Sequence, residues 1–271
     1  VPDSKCTRRS VLKIGLSLAT VGFPREWSLT GLFRRAGAEE RPLSLLAIQL
    51  QGGNDALSTV VPARAPWYRE FRRELALSES DSLLPLNGKL YLNSSLSAIS
   101  QRFREGQVAI FLGAGIPGQT KSHSLASEKT GMEISRTLSV AGSLPMARFG
   151  LDGFDTHCRQ RPGHDRLLRE LDRLVETEHA RWNHDNRGGR LVTLVYSEFG
   201  RSVTPNDEEG TDHGVGGCAF LIGDSIRGGI YGDYRLLEPG APGAFGKDLE
   251  ICLDLRDITR ALRSESERLN A

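Results

Sequence analysis

The sequence predicts an α/β domain: a mainly parallel sheet with helices on both faces. Three observations carry that prediction. Short, nearly continuous apolar runs at Leu45–Leu50, Val108–Gly113, Leu191–Tyr196 and Ala219–Ile222 have the length and composition of strands buried on both faces. Amphipathic helical stretches alternate with them. Glycine-rich strings bearing acids or imidazoles follow several of the runs, at the end of a parallel sheet where ligands collect.

The chain has 271 residues, enough for one such domain with a real core. Its formal net charge of +1 argues against a nucleic-acid partner bound through phosphate neutralisation. Four cysteines occur, Cys6, Cys158, Cys218 and Cys252. The last three are an odd number without regular spacing, which is not a disulfide framework.

Residues 1–38 read as an export signal. Arg8-Arg9 precede the mild apolar stretch Ile14–Phe23, the pattern of a bacterial twin-arginine signal. That stretch is too short to span a bilayer, which needs about 20 residues. Ala36-Gly37-Ala38 offers a small-residue cleavage site. The expected partner is the twin-arginine export machinery, and the expected location is the periplasm or the medium, with no transmembrane span in residues 39–271.

Within residues 39–271, Leu45–Leu50 reads as the first strand. It runs into Gln51-Gly52-Gly53-Asn54-Asp55, which leaves Asp55 at the strand's carboxyl end. A charged helical stretch follows near Trp67–Leu75, and a helix spans Ser94–Arg104 with Leu96, Ile99 and Phe103 on one side. Val108–Gly113 is the next strand, and a helix opens after it at Ser122 or Ser124. Thr130–Leu151 has no clear period. A long amphipathic helix is expected from Gly163 to Trp182, with Leu167, Leu168, Leu171, Leu174 and Val175 inward and His164, His179 and His184 at the surface. Leu191–Tyr196 and Ala219–Ile222 are further strands, Gly228–Gly232 resembles a hairpin arm, and a helix covers Leu253–Leu262.

The candidate chemistry lies in three strings: Gly153-Phe154-Asp155-Thr156-His157, Ser197-Glu198-Phe199-Gly200-Arg201 and Gly210-Thr211-Asp212-His213-Gly214. Carboxylate oxygen and imidazole nitrogen are what a hard or borderline divalent cation takes as ligands. Asp55, Asp155, His157, Glu198, Asp212 and His213 are therefore candidate metal ligands. Each string also has a plain structural reading: Asp212 or Asp55 as a turn cap, or Glu198 paired with Arg201 at the surface. Ser122 is a candidate nucleophile because a hydroxyl at a helix N-terminus meets amide dipoles that favour an anion.

On these residues the chain resembles an exported bacterial family catalogued as domain of unknown function 1501, of the alkaline phosphatase/sulfatase superfamily. The matching strings are Gln51–Leu57, Ser122-His123-Ser124, Gly153–His157, Ser197–Arg201 and Gly210–Gly214, in the family's order. The resemblance implies an alkaline-phosphatase-like fold. Only 31 residues lie between His123 and Asp155, where family members carry a longer segment, so the fold is expected to be shortened in the middle. It also implies one or two divalent ions, zinc, calcium or manganese. One ion would take Asp155, His157 and His213. A second would take Asp55, Ser122 and a late acid–histidine pair. Strand order assigns that pair to Glu198-Phe199, with phenylalanine where histidine is expected; local spelling assigns it to Asp212-His213.

The implied function is an exported metal-dependent hydrolase of phosphate or sulfate esters. Its substrate would be a small anionic ester or a sulfated or phosphorylated glycan. Ser122 would attack, His123 would assist proton transfer and Arg201 would contact the anion. The rival is a non-catalytic exported binding or surface-assembly protein on a degenerate form of the same fold.

Overall fold

Alternate residues of the apolar runs point to opposite faces of one sheet, and both faces are covered. In the computed structural model, residues 29–34, 41–118, 130, 134, 144–185, 189–237 and 248–270 are described. Ser122, His123 and almost all of the expected export signal lie outside the described residues.

Strand β1 (Leu43–Leu50) leads to a short helix α1 (Ala56–Thr59) and β2 (Val60–Val61). Helix α2 (Pro66–Arg72), β3 (Leu84–Pro85), β4 (Tyr91–Leu92), α3 (Ser97–Arg104) and β5 (Val108–Gly115) follow. Next come β6 (Met146–Leu151), α4 (Gln160–His184), β7 (Arg190–Ser197) and β8 (Gly217–Ile222). The succession closes with β9 (Gly229–Gly232), β10 (Leu253–Asp254) and α5 (Leu255–Asn270).

The main sheet runs β10-β5-β8-β7-β1-β6, with β9 also paired to β5. Parallel pairing joins β1 to β6 and β7, and β5 to β9 and β10. Strand β8 alone is reversed, antiparallel to both β5 and β7. The sheet is thus mixed and mostly parallel. Gly228–Gly232, expected as a hairpin arm, instead holds a strand parallel to β5, because the chain crosses from β8 past β5 before pairing. A small antiparallel sheet of β2, β4 and β3 stands apart.

On one face, Leu46, Ile48 and Leu50 of β1 join Ile110, Val195 and Phe220 against Leu167, Leu168, Leu171 and Val175 of α4. On the other, Leu43, Leu45, Phe111, Leu194 and Leu221 meet Leu255, Ile258 and Leu262 of α5. Each such side chain, fully buried, contributes about 1.5–3 kcal/mol over its exposed state. Helix α3 has no side-chain cap of its own; buried Asp172 of α4 accepts from the backbone N–H groups of Ala98 and Ile99, both at 2.9 Å. A carboxylate from one helix thereby caps the next and fixes how the two pack.

His164 and His179 are buried rather than at the surface, with 1% and 4% exposure. They fall on the apolar stripe of α4. Each imidazole has a partner that makes burial tolerable: His164 Nε2 with Asn54 Oδ1 and His179 Nε2 with Thr193 Oγ1, both at 3.0 Å. No described helix is long and apolar enough to cross a membrane.

Candidate metal centre

Strands β1, β6 and β7 run parallel, so the loops leaving them emerge at one end of the sheet. The β6 loop carries Asp155 and His157, and the β7 loop carries Glu198 and Arg201. Asp212 and His213 precede a strand, and in an all-parallel sheet they would lie at the opposite end. The reversal of β8 keeps the whole 198–216 connection at the same end. That connection doubles back on itself: Ser202 N–H donates to Asp212 O at 2.8 Å, Gly214 N–H donates to Gly200 O at 2.7 Å, and Arg201 bridges antiparallel to His213.

Two loops therefore deliver three donor atoms to one point. Asp155 Oδ1 lies 3.0 Å from His157 Nε2 and 2.9 Å from His213 Nε2, and the two Nε2 atoms are 3.2 Å apart. Ligands bound about 2.0–2.1 Å from one divalent ion are separated by about 2.9–3.4 Å at octahedral or tetrahedral angles, so the triangle has the edges of a coordination polyhedron.

Proton accounting points the same way. His157 Nδ1 lies 3.1 Å from Asp212 Oδ1, an acceptor, so Nδ1 carries a proton and, in the neutral imidazole, Nε2 offers a lone pair. That lone pair faces a carboxylate oxygen and a second imidazole nitrogen. With both imidazoles neutral, a proton on His213 Nε2 leaves acceptors pressed together along His157–Asp155; protonation of His157 relieves that edge, and a cation at the centre satisfies all three donor atoms at once. An imidazole held by a carboxylate through its other nitrogen is the usual support of a metal-bound histidine.

Electrostatics keep the acids ionised. Burial works against the Asp155 carboxylate, but the His213 hydrogen bond and the charges of Arg201 and His157 outweigh it, so its pKa lies below the ordinary aspartate value. Asp212 is lowered in the same way: partial burial is overcome by hydrogen bonds from Asn206 and His157. Arg201 Nη1 donates to Asp155 Oδ1 at 3.1 Å, and its side chain is fully buried, with Nε and Nη2 lacking a hydrogen-bond partner among the described residues. Phe199, at the position where a histidine was expected, lays its ring against His213 with centroids 4.4 Å apart.

The remaining candidates are placed elsewhere. Asp55 caps α1 and is buried; its carboxylate accepts from Leu57 N–H at 3.2 Å and Ser58 Oγ at 2.7 Å, and from Arg72 and Gln160. Burial raises its pKa, but the charges of Arg72 and His164 more than reverse this. Glu198, also buried, accepts the Gly52 N–H at 2.7 Å and does not pair with Arg201 at the surface. Among the described residues, the group able to hold a metal is Asp155, His157 and His213; Asp212 stands behind it, and Asp55 and Glu198 do not join it.

Sequence reasoning missed Gln160, Thr156, Thr211 and Asn206. Asn206 Nδ2 donates to His157 O at 2.9 Å and to Asp212 Oδ1 at 3.2 Å, tying the two loops together. A turn-forming Asn after Pro205 was the available signal. Close packing also needs Gly210, where a Cβ would stand 2.1 Å from His157 O.

The model of a family described as a protein of unknown function (DUF1501) matches residues 128–238. The match takes in Asp155, His157, Glu198, Arg201, Asp212 and His213, and leaves Asp55, Ser122 and His123 outside. No curated protein matches the chain.

Proposed function

We propose that this chain is a metal-dependent hydrolase of phosphate or sulfate esters, with one divalent ion held by Asp155, His157 and His213. The observation that carries the reading is the triangle of donor atoms with edges of 2.9, 3.0 and 3.2 Å. Two further features favour a reactive site over a structural one. Among the described residues the group offers three protein ligands, where closed structural sites have four. It also opens to solvent, with the Asp155 and His157 side chains 43% and 41% exposed.

A bound divalent cation supplies Lewis acidity and lowers the pKa of an attacking hydroxyl or water. The chain's own residues do the rest. Asp212 holds the His157 imidazole with its lone pair inward. Arg201 fixes Asp155 and keeps it ionised. Phe199 orients the His213 ring. Ser122 is the proposed nucleophile and His123 its proton partner. The superfamily assignment, export through Arg8-Arg9 to the periplasm or medium, and a small ester or glycan substrate belong to this same proposal.

A second reading, a non-catalytic metal-binding protein, draws on the engagement of Asp55 and Glu198 with protein donors, so that among the described residues neither joins a second group of metal ligands. Elemental analysis of the purified chain beside an Asp155→Ala/His157→Ala variant tests the metal. Hydrolysis of an aryl phosphate or aryl sulfate by the loaded protein, read as release of the phenol and lost in Ser122→Ala with the metal retained, then separates the two readings. No metal in the folded wild-type protein would remove both.

A further inference from the structure

Asp155 and His157 sit on one loop and His213 on another, 56 residues further along. Something must hold the loops in register before an ion arrives. Between them lies a buried amide, Gln160, which is 1% exposed. Its Oε1 accepts from Thr156 Oγ1 at 3.0 Å and from Thr211 Oγ1 at 2.5 Å. Thr156 stands between the two ligands of the first loop, and Thr211 is two residues before the ligand of the second. The Thr211 N–H also donates to Thr156 O at 3.2 Å, and the Gln160 N–H donates to Glu209 O at 3.0 Å.

The amide's orientation is set by chemistry. A carboxylate accepts and cannot donate, so the Gln160 atom facing Asp55 Oδ2 is Nε2, and Oε1 must face the two hydroxyls. Asp55 is in turn immobilised by Arg72, Ser58 and the start of α1. A chain of buried hydrogen bonds thus runs from the end of β1 through Gln160 to both ligand-bearing loops.

We infer that Gln160 is a positioning residue for the metal ligands, oriented by Asp55, and that the role of Asp55 at this site is support and not ligation. The inference rests on the metal reading above. Substituting such outer partners costs about 10–100-fold in metal affinity.

The test is a titration of the full-length chain with Co²⁺, read by visible absorption, on wild type, Gln160→Met, Thr156→Val and Thr211→Val. Asp172→Ala, remote from the ligands, serves as a control for general destabilisation, with the thermal midpoint of each metal-free protein recorded. Wild type is expected to bind one Co²⁺. Gln160→Met and Thr211→Val are expected to weaken binding by about tenfold or more and to alter the band shape, while the control keeps wild-type affinity and spectrum. If Gln160→Met does not fold, the two threonine variants decide. Wild-type affinity and spectrum in the variants would overturn the role of Gln160 and leave the metal site standing. Equal weakening in the control would also overturn it. A folded wild-type protein that binds no Co²⁺ would overturn the metal reading and this inference together.

Discussion

Gly52 and Asp155 touch backbone to backbone: a Cβ on Gly52 would stand 2.2 Å from the Asp155 amide nitrogen. Gly52 also has φ of +109°, which a side chain resists. Gly52→Ala is therefore expected to displace Asp155. It should lower metal affinity at least about tenfold and cost about 1–3 kcal/mol in stability. Metal titration and urea unfolding of the same preparation check both.

Asp212 acts on the site through His157, because its carboxylate receives the Nδ1 proton at 3.1 Å. Asp212→Asn keeps the shape but can present an amide donor to Nδ1, which favours the wrong tautomer. The expected result is about tenfold weaker metal binding with little change in the thermal midpoint of the metal-free protein. Equilibrium dialysis against zinc measures it.

Arg72 and Asp55 form a fully buried ion pair. Arg72 Nη1 also donates to the carbonyls of Ser202 and Val203, at 3.2 and 3.3 Å. Arg72→Met strands the Asp55 charge and is expected to destabilise the fold by about 3–5 kcal/mol, read from urea midpoints. Asp55 has a depressed pKa in the fold. Its contribution is present above the ordinary aspartate pKa and is lost as the pH falls through the folded value.

His179 lies under β7, and burial, with a smaller effect from Arg102, pushes its pKa down to about 4. The unfolded chain, with histidine near pKa 6.5, binds this proton more readily, so stability falls as the solution is acidified from about pH 6.5 toward pH 4. The loss from this one group is roughly 2 kcal/mol between about pH 7 and pH 5. His164 is lowered by its own burial and adds a slope of the same sign. His179→Gln is expected to flatten part of the profile, and thermal midpoints measured across that range test it.

The sequence carried much of this arrangement in plain form. Strands β1, β5, β7 and β8 were legible because apolar runs buried on both faces resemble little else. Asp155, His157, Asp212 and His213 were legible because acid and imidazole stand together among glycines at strand ends. The direction of β8 was not, since an apolar run reads the same in either sense. Strand β6 was hidden because Met146–Leu151 is an exposed edge segment with no alternation. Asp55 was ambiguous because a carboxylate after Gly-Gly-Asn reads equally as ligand or cap. Gln160 carries no charge and lies in no motif, and Thr211, though inside the Gly210–Gly214 string, carries no charge; only their burial together gives them meaning. The positions of His164 and His179 were legible in principle: with Leu168, Leu171 and Val175 they recur every three or four residues along one helical face.

Asp155 and His157 hang from β6, which among the described residues pairs with β1 alone and exposes Ala147 to Gly150. His213 leads into β8, which has neighbours on both sides. The donor triangle thus joins the least protected strand of the sheet to one of its best protected. Breathing of the edge would carry off two of the three donors together and leave His213 behind. An ion that bridges the triangle would tie those motions to each other. Its signature in amide hydrogen exchange would be slower exchange along Met146–Leu151, with Gly217–Ile222 unchanged.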